Sequence, residues 1–269
     1  MNPTASEPEA ADGPPLGFLV MAMIFLPLAA GYFLSFLYRS INAMIAPYLV
    51  ADLGLSSEAL GLMTAAYFLG FGLFQLPLGL LLDRFGPARV QSALLAVATL
   101  GALLFAQGDS IWLLSLGRGL IGVGVAGALM SSFTAFAIWF PRRHLPLVNG
   151  FFLGFGGLGA LAAAKPVEWA LGLTDWRGLF VGLSVATAVV GALILICLPK
   201  PDGRAVAVGW RDQIDGLKTI YGDPLFQRVA PLAVATIATG LGVQGLWAGT
   251  WLRDVAALDP SAVANHLSL

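Results

Sequence analysis

A short stretch near position 83 combines one acid and two bases with glycines. Asp83 and Arg84 are followed by Arg89, with Gly79 before them and Gly86 between them. A carboxylate here can accept hydrogen bonds from backbone N–H groups at the start of a neighbouring helix, and either arginine can pair with it. Gly79 allows another helix to approach closely, and Gly86 allows a tight turn. We expect a charged latch that holds one closed conformation; the alternative is an ordinary solvated loop.

Four ionisable side chains lie inside long apolar runs, where a charge costs at least ~2.5 kcal/mol on insertion scales and marks function by default. They are Arg39, Arg118, Lys165 and Glu168. At about 1.5 Å per residue, all four fall in the same half of the membrane. Three positive groups and one negative group at similar depth predict an electropositive vestibule, which favours a carboxylate-bearing or inorganic anion as solute.

Each of these charges also has a structural interpretation. Lys165 and Glu168 are three residues apart on one helix face, so they either take part in coupling or neutralise each other as an ion pair. Arg118 either contacts solute or donates hydrogen bonds to backbone carbonyls of neighbouring helices. Arg39 is the strongest candidate for solute contact, because Tyr38 and Asn42 surround it with polar groups.

Further polar side chains in the apolar runs can face either a solute or another helix. We predict solute contact for Tyr67, Gln75 and Gln244, with helix packing as the alternative for each. The same two interpretations stay open for a second set of side chains: Tyr32, Ser131, Ser132, Asn149 and Trp247.

The elements that position these residues must be membrane helices. The chain is 58% hydrophobic and only 11% charged, against roughly 25% charged residues in an average soluble domain. Its apolar runs are each long enough to cross about 30 Å of hydrocarbon as a helix, and they lack the alternation of barrel strands. We predict an all-α, polytopic helical bundle with spans at 17–49, 59–82, 90–107, 111–140, 145–173, 177–199 and 229–252.

The distribution of bases predicts how the bundle is oriented. A cytoplasmic N-terminus leaves only Arg177 and Arg253 on the outer side, which is a clear positive-inside bias. The bases assigned to the inner side are Arg84, Arg89, Arg142, Arg143, Lys200, Arg204, Arg211, Lys218 and Arg228. No cleavable signal peptide is expected, because the first fifteen residues carry acids instead of a basic segment.

The polar segment 200–228 divides the chain. We predict a cytoplasmic tail over 1–16, a six-helix block over 17–199, a cytoplasmic central loop over 200–228, and a seventh helix with the start of an eighth over 229–269. Apolar residues at helical spacing within 206–221 favour a helix on the inner membrane surface, with a solvated linker as the alternative.

The glycine and charge pattern from Gly79 to Arg89 resembles a signature of the major facilitator superfamily, and its position between the second and third helices is also similar. A second resemblance runs from Leu114 through Arg118, Gly122 and Gly124 to Ala126, although Ile121 replaces the usual glutamine. The stretch "DWRGLF" at 175–180 is similar to the start of helix six in that family. The inner end of helix four offers Arg89 no carboxylate, which departs from the pattern and predicts a weaker latch.

The resemblance implies the six-helix amino-terminal half of such a transporter plus helix seven, in a chain expected to be truncated. It implies alternating access to a site near the midplane, with the latch gating one side. The antiporter signature of helix five is missing, so symport or uniport is expected. The alternatives are a half-unit that pairs with a second half-transporter chain, a ligand-sensing membrane protein, or an inactive fragment. The expected location is the bacterial inner membrane.

Several other classes of function are disfavoured by the residues. A net charge of −1 offers no basic excess for nucleic acid, and the single Cys197 forms no intrachain disulfide. The glycines at 154–160 sit in an apolar helix without a preceding strand, so they predict close helix packing instead of a nucleotide loop. His144 and His266 lack the neighbours of a metal site. We expect no cofactor, no metal and no enzymatic activity; the expected partners are the lipid bilayer and a small-molecule solute.

Overall fold

A computed structural model describes residues 17–199, 210–243 and 247–267, and every regular element in these ranges is helical. The helices begin and end as follows: α1 Phe18–Ser40, α2 Asn42–Leu53, α3 Ser57–Phe85, α4 Pro87–Ala106, α5 Ile111–Val125, α6 Ala128–Trp139, α7 Leu145–Ala162, α8 Lys165–Leu171, α9 Trp176–Cys197, α10 Trp210–Gly222, α11 Pro224–Gly242, α12 Ala248–Asp254 and α13 Pro260–Leu267. The predicted all-α bundle is confirmed.

Six helical segments among the described residues are long and apolar enough to cross a membrane. Each overlaps one of the first six predicted spans, although the first segment ends at Ser40 and the fifth at Ala162, earlier than predicted. The predicted seventh span, 229–252, covers most of α11 and part of α12, with residues 244–246 between them outside the described residues, and α11 begins inside the predicted central loop. A single helix over 229–252 therefore stays a prediction. The loop also contains α10, and α13 begins at Pro260, where a further helix was expected.

Polar side chains cap the helices at the turns between spans. They are needed there because the first N–H groups of a helix have no partner within it. The Ser56 side chain accepts from the Ala59 N–H, Ser110 from Leu113, and Asp175 from Gly178. Gly54 ends α2 with a φ of 63°. These caps place the turns at the ends of the predicted apolar runs.

Three predicted spans are interrupted inside the bundle, at Ile41, at 126–127 and at 163–164. The interruption between α5 and α6 frees carbonyl groups that lipid cannot satisfy. The Gln75 Nε2 donates to the Ala126 carbonyl at 3.1 Å, and the Ser35 hydroxyl contacts the Val125 carbonyl at 3.4 Å. Side chains from α3 and α1 therefore stabilise the break.

Glycines bring the helix backbones into contact, as expected for membrane helices. A Cβ atom at Gly122 of α5 would overlap the Tyr67 carbonyl oxygen of α3, and one at Gly159 of α7 would overlap the Phe33 carbonyl oxygen of α1. The prediction that glycines within 154–160 serve close packing is confirmed at Gly159, while Gly154 and Gly157 face open space.

The core of the bundle lies between α1, α3, α4, α5 and α9, with α7 against α1. At the far end of the chain, α12 contacts α2 and α13 contacts α8. Large apolar side chains such as Leu69 and Ile196 are mostly exposed on the outside of the helices. Such exposure suits a surface whose solvent is hydrocarbon.

Candidate solute-binding and gating sites

Arg118 is fully buried on α5, where it contacts two helices. Its Nη1 donates to the Tyr38 carbonyl oxygen at 3.1 Å, and its guanidinium carbon lies 4.9 Å from the centre of the Tyr67 ring. Its Nε has no hydrogen-bond partner among the described residues. The backbone-carbonyl alternative for Arg118 is therefore what the structure shows, and solute contact stays a prediction.

Arg39 is half-buried near the end of α1 and lies between aromatic rings. Its guanidinium carbon is 4.7 Å from the centre of the Phe36 ring and 5.0 Å from that of Phe71. The Nε of Arg39 is buried and has no hydrogen-bond partner within the described part of the chain. Phe71, which Arg39 contacts, stacks on Tyr67, and Arg118 lies over the Tyr67 ring, so both cations lie near one buried tyrosine.

The other predicted contact residues near Arg39 are already bound to the protein. The Tyr38 hydroxyl lies 3.0 Å from the Thr187 Oγ1 on α9, and the Tyr67 hydroxyl lies 3.5 Å from the Ser35 carbonyl. The Asn42 Nδ2 donates to Thr64 at 2.9 Å, which leaves its Oδ1 buried without a hydrogen-bond partner among the described residues. Of these three side chains, only Asn42 has a polar atom, its Oδ1, that is buried without a hydrogen-bond partner among the described residues.

The remaining polar candidates are spread through the bundle. Gln75 stabilises the helix break at Ala126, which is a packing role. Tyr32 stacks on Phe152 with ring centres 4.4 Å apart. Gln244 lies outside the described residues. Ser131, Ser132 and Asn149 lie on α6 and α7, apart in sequence from the Arg39 region.

Lys165 and Glu168 form an ion pair on α8, with Nζ and Oε2 2.8 Å apart. The pair follows the α7 break, so it lies on a short separate helix. The structure therefore shows the predicted neutralising pair, and a coupling role for it stays a prediction.

The stretch around Asp83 has the predicted turn but not the predicted pairing. Gly86 adopts a φ of 77°, which favours glycine, and it separates α3 from α4. Asp83, Arg84 and Arg89 are exposed, and Asp83 has no hydrogen bond or ion pair among the described residues. Arg84 lies over the Phe85 ring at 5.3 Å. The pairing of Asp83 with Arg84 or Arg89 is therefore not seen among the described residues, and a gating role stays a prediction.

The opposite end of the bundle carries an ion network that the sequence did not indicate. Arg177 pairs with Asp52, and its Nη2 lies 2.7 Å from the Asp109 Oδ1. The Trp176 Nε1 also donates to Asp52 at 3.1 Å. The hydrogen bond from Arg177, and to a smaller extent the one from Trp176, holds the pKa of Asp52 below its ordinary value. We call Asp52, Asp109, Trp176 and Arg177 the Arg177 clasp.

A cavity of about 620 Å³ opens near that end, between α2, α3 and α12. Its polar lining includes Glu58, Thr250 and Arg253, together with the Trp247 ring. Neither Arg39 nor Arg118 lines it. This cavity and the predicted solute site are therefore different places.

The packed apolar helices and the glycine contacts between them together define a polytopic bundle of membrane-spanning helices. The family model of the Major Facilitator Superfamily matches residues 28–265, so the chain belongs to that family, whose members are transporters and not enzymes. The predicted resemblance is confirmed.

Curated relatives include proteins named as transporters of small anions. A sulfoacetate transporter of Cupriavidus necator is 26% identical, covering 92% of this chain and 60% of the relative. A tartrate transporter of Agrobacterium vitis is 28% identical, covering 83% and 57%. The hexuronate transporter of Escherichia coli is 28% identical, covering 69% and 42%. The chain thus spans 60% or less of the length of these relatives.

Solved structures share the fold. A bacterial homologue of the human lysosomal transporter Spinster has a TM-score of 0.75 at 16% identity, covering 93% of this chain and 59% of that one. A D-xylose–proton symporter has a TM-score of 0.66 at 16% identity, covering 93% and 65%. The arrangement of the helices is therefore that of this family's transporters.

Proposed function

We propose that the chain forms the amino-terminal part of a secondary transporter for a small organic anion, working by alternating access. The observation that carries this proposal is the pair of cations, Arg39 and Arg118, near Tyr67 within the apolar bundle. A charge at such depth is expensive unless it serves function or pairs with another charge. Neither arginine has a carboxylate partner among the described residues.

The acids of α1 to α9 support an anionic solute. Asp52, Glu58, Asp83, Asp109 and Asp175 lie at helix ends or in turns. The remaining one, Glu168, is paired with Lys165. The unpaired charge inside the six-helix block is therefore positive, and the relatives named for sulfoacetate, tartrate and hexuronate act on solutes that are anions at neutral pH.

Symport or uniport is part of the proposal, because the antiporter signature is missing from the segment that forms α7. The latch at Asp83 is proposed to close one side of the pathway against a helix outside the six-helix block. Since Asp83 is exposed and unpaired within the described residues, it is available for such a contact.

The test is anion binding and flux by the purified 269-residue protein. Binding of tartrate, sulfoacetate and glucuronate is measured in lipid nanodiscs, and uptake of the same labelled anions is measured in proteoliposomes. Arg39→Gln should abolish both without reducing membrane insertion, because the guanidinium supplies the charge and paired donors that a carboxylate needs. Arg143→Gln is the matched control, since it removes one exposed positive charge.

Two results would contradict this proposal. Equal uptake by Arg39→Gln and the unsubstituted protein would remove Arg39 from the site, and equal binding of neutral sugars would remove the preference for anions. Binding without flux would instead favour a ligand-sensing protein or a half-unit that needs a second chain.

The proposed location is the bacterial inner membrane with a cytoplasmic N-terminus. In a variant with Cys197 replaced by serine, a cysteine introduced at Gln107 should react with an impermeant maleimide in intact cells. A cysteine at Arg143 should react only after the membrane is opened. The reverse labelling pattern would show the opposite orientation.

A further inference from the structure

The guanidinium of Arg39 is held by aromatic rings from two helices. Phe36 lies one turn earlier on α1, and Phe71 lies on α3. Each ring is itself fixed by another, since Phe36 packs edge-on against Tyr32 at 5.0 Å and Phe71 stacks on Tyr67 at 6.3 Å. We call Phe36 and Phe71 the aromatic bracket.

An aromatic bracket holds a cation in a different way from a carboxylate. A ring face attracts the positive charge by its quadrupole but takes up none of the conventional hydrogen bonds that the guanidinium donates. A carboxylate partner would use those donors in a bidentate pair. Arg39 has no carboxylate partner among the described residues, and its buried Nε has no hydrogen-bond partner there, so this N–H donor stays available while the rings stabilise the charge.

The bracket also opposes the natural tendency of a long side chain to leave the apolar region. Arginine in a membrane helix extends along its stem toward the interface, where water solvates the charge. Rings on both α1 and α3 keep the Arg39 head group between these helices, beside Tyr67. Holding a binding group in place before the ligand arrives reduces the entropy that is lost on binding.

We propose that Phe36 and Phe71 are positioning residues that hold the Arg39 guanidinium ready for a planar carboxylate or a sulfonate. This inference rests on the proposed function, because it assigns a role within the same anion site. The residues act through Arg39 and need not touch the solute.

The first test is tartrate affinity in lipid nanodiscs. Phe71→Leu should raise the Kd by about 3- to 30-fold, the range expected for losing a desolvated cation–ring contact. Phe71→Trp should keep the affinity, since it retains a ring face. Phe68→Leu is the matched control, because Phe68 is also half-buried on α3 and packs edge-on against Tyr67 at 5.2 Å.

The second test separates positioning from general packing. A double-mutant cycle combines Phe71→Leu with Arg39→Lys, which keeps a charge but not the planar fork. The effect of Phe71→Leu should shrink to less than about 2-fold in the Arg39→Lys background. An equal loss of affinity in both backgrounds, or an equal loss from Phe68→Leu, would overturn the proposal.

A third measurement does not depend on any solute. In protein labelled with ¹⁵N-arginine, the Nε–H signal of Arg39 is identified by its loss in Arg39→Gln. The ring currents should shift it upfield, and Phe71→Leu should return it toward the position of exposed arginines. If the protein binds no anion but shows this shift, the proposed function fails and the bracket stands; an unshifted signal overturns the bracket itself.

Discussion

Gly122→Ala is the most direct test of how the helices hold the candidate site. A Cβ at Gly122 would overlap the Tyr67 carbonyl oxygen and lie 2.9 Å from its carbonyl carbon and 3.1 Å from the Phe71 nitrogen. All of these atoms belong to the backbone of α3, so no side-chain rotation relieves the contact. The two helices must move apart at the position that carries Tyr67 and Phe71.

Two opposing effects set the expected change in the free energy of unfolding of Gly122→Ala. Overpacking of this kind costs about 1–3 kcal/mol, whereas replacing glycine by alanine in a helix gains about 0.8–1.0 kcal/mol. Gly122→Ala should therefore lower the free energy of unfolding by about 0–2 kcal/mol. Gly154→Ala supplies the helix term alone, because nothing lies within 4 Å of its added Cβ. The two variants should therefore differ by about 1–3 kcal/mol.

The assay is reversible unfolding of both variants in detergent, followed by circular dichroism and with the unsubstituted protein as reference. Anion affinity is measured on the same samples, and it should fall for Gly122→Ala because Tyr67 and Phe71 are displaced from the two arginines. Equal stability of Gly122→Ala and Gly154→Ala would refute the reasoning, since it would mean that α3 and α5 do not meet backbone to backbone.

Three further predictions concern other parts of the bundle. Asp83→Asn should lower the maximal uptake rate more than it weakens solute affinity, and a change in affinity alone would exclude gating. Gln75→Leu should destabilise the fold by about 1–3 kcal/mol in detergent unfolding, because the Ala126 carbonyl is then buried unpaired; a selective change in solute preference would instead return Gln75 to the site. Arg177→Gln should be less stable than the unsubstituted protein at neutral pH, and this difference should shrink in acid.

The sign of that pH effect follows from Asp52. Its pKa is lowered in the folded protein, first by the hydrogen bond from Arg177. A lowered carboxyl pKa stabilises the fold above the ordinary aspartate value of about 3.9, and the contribution is lost as the pH falls through the lower, folded value. Melting temperatures of the two proteins should therefore converge below about pH 4. A constant difference down to about pH 2 would contradict the assigned cause.

The fold could be predicted from the sequence because lipid imposes length and composition on every span. The breaks were only partly signalled: Pro166 follows the break at 163–164 and Gly127 lies in the break at 126–127, but no glycine or proline lies at Ile41. The break at Ala126 depends on Gln75, a partner 51 positions away. Only the packed structure brings such residues together.

The candidate site was partly predictable for a similar reason. Arg39 and Arg118 stand out because charge is rare within apolar runs. Phe36 and Phe71 do not, since the sequence does not distinguish a phenylalanine that contacts a cation from one that faces lipid. The sequence places Arg177 in an outer loop. The Arg177 clasp could not be predicted, because Asp52 and Asp109 are far from Arg177 in the sequence.

The Arg177 clasp has a mechanical consequence for the six-helix block. One guanidinium joins the end of α2, the turn before α5 and the start of α9, which come from three separate hairpins. Because the three helix ends share this guanidinium, a displacement of one end either breaks an ion pair or carries the other ends with it. Removing the guanidinium, as in Arg177→Gln, would let each of these helix ends move without that shared restraint.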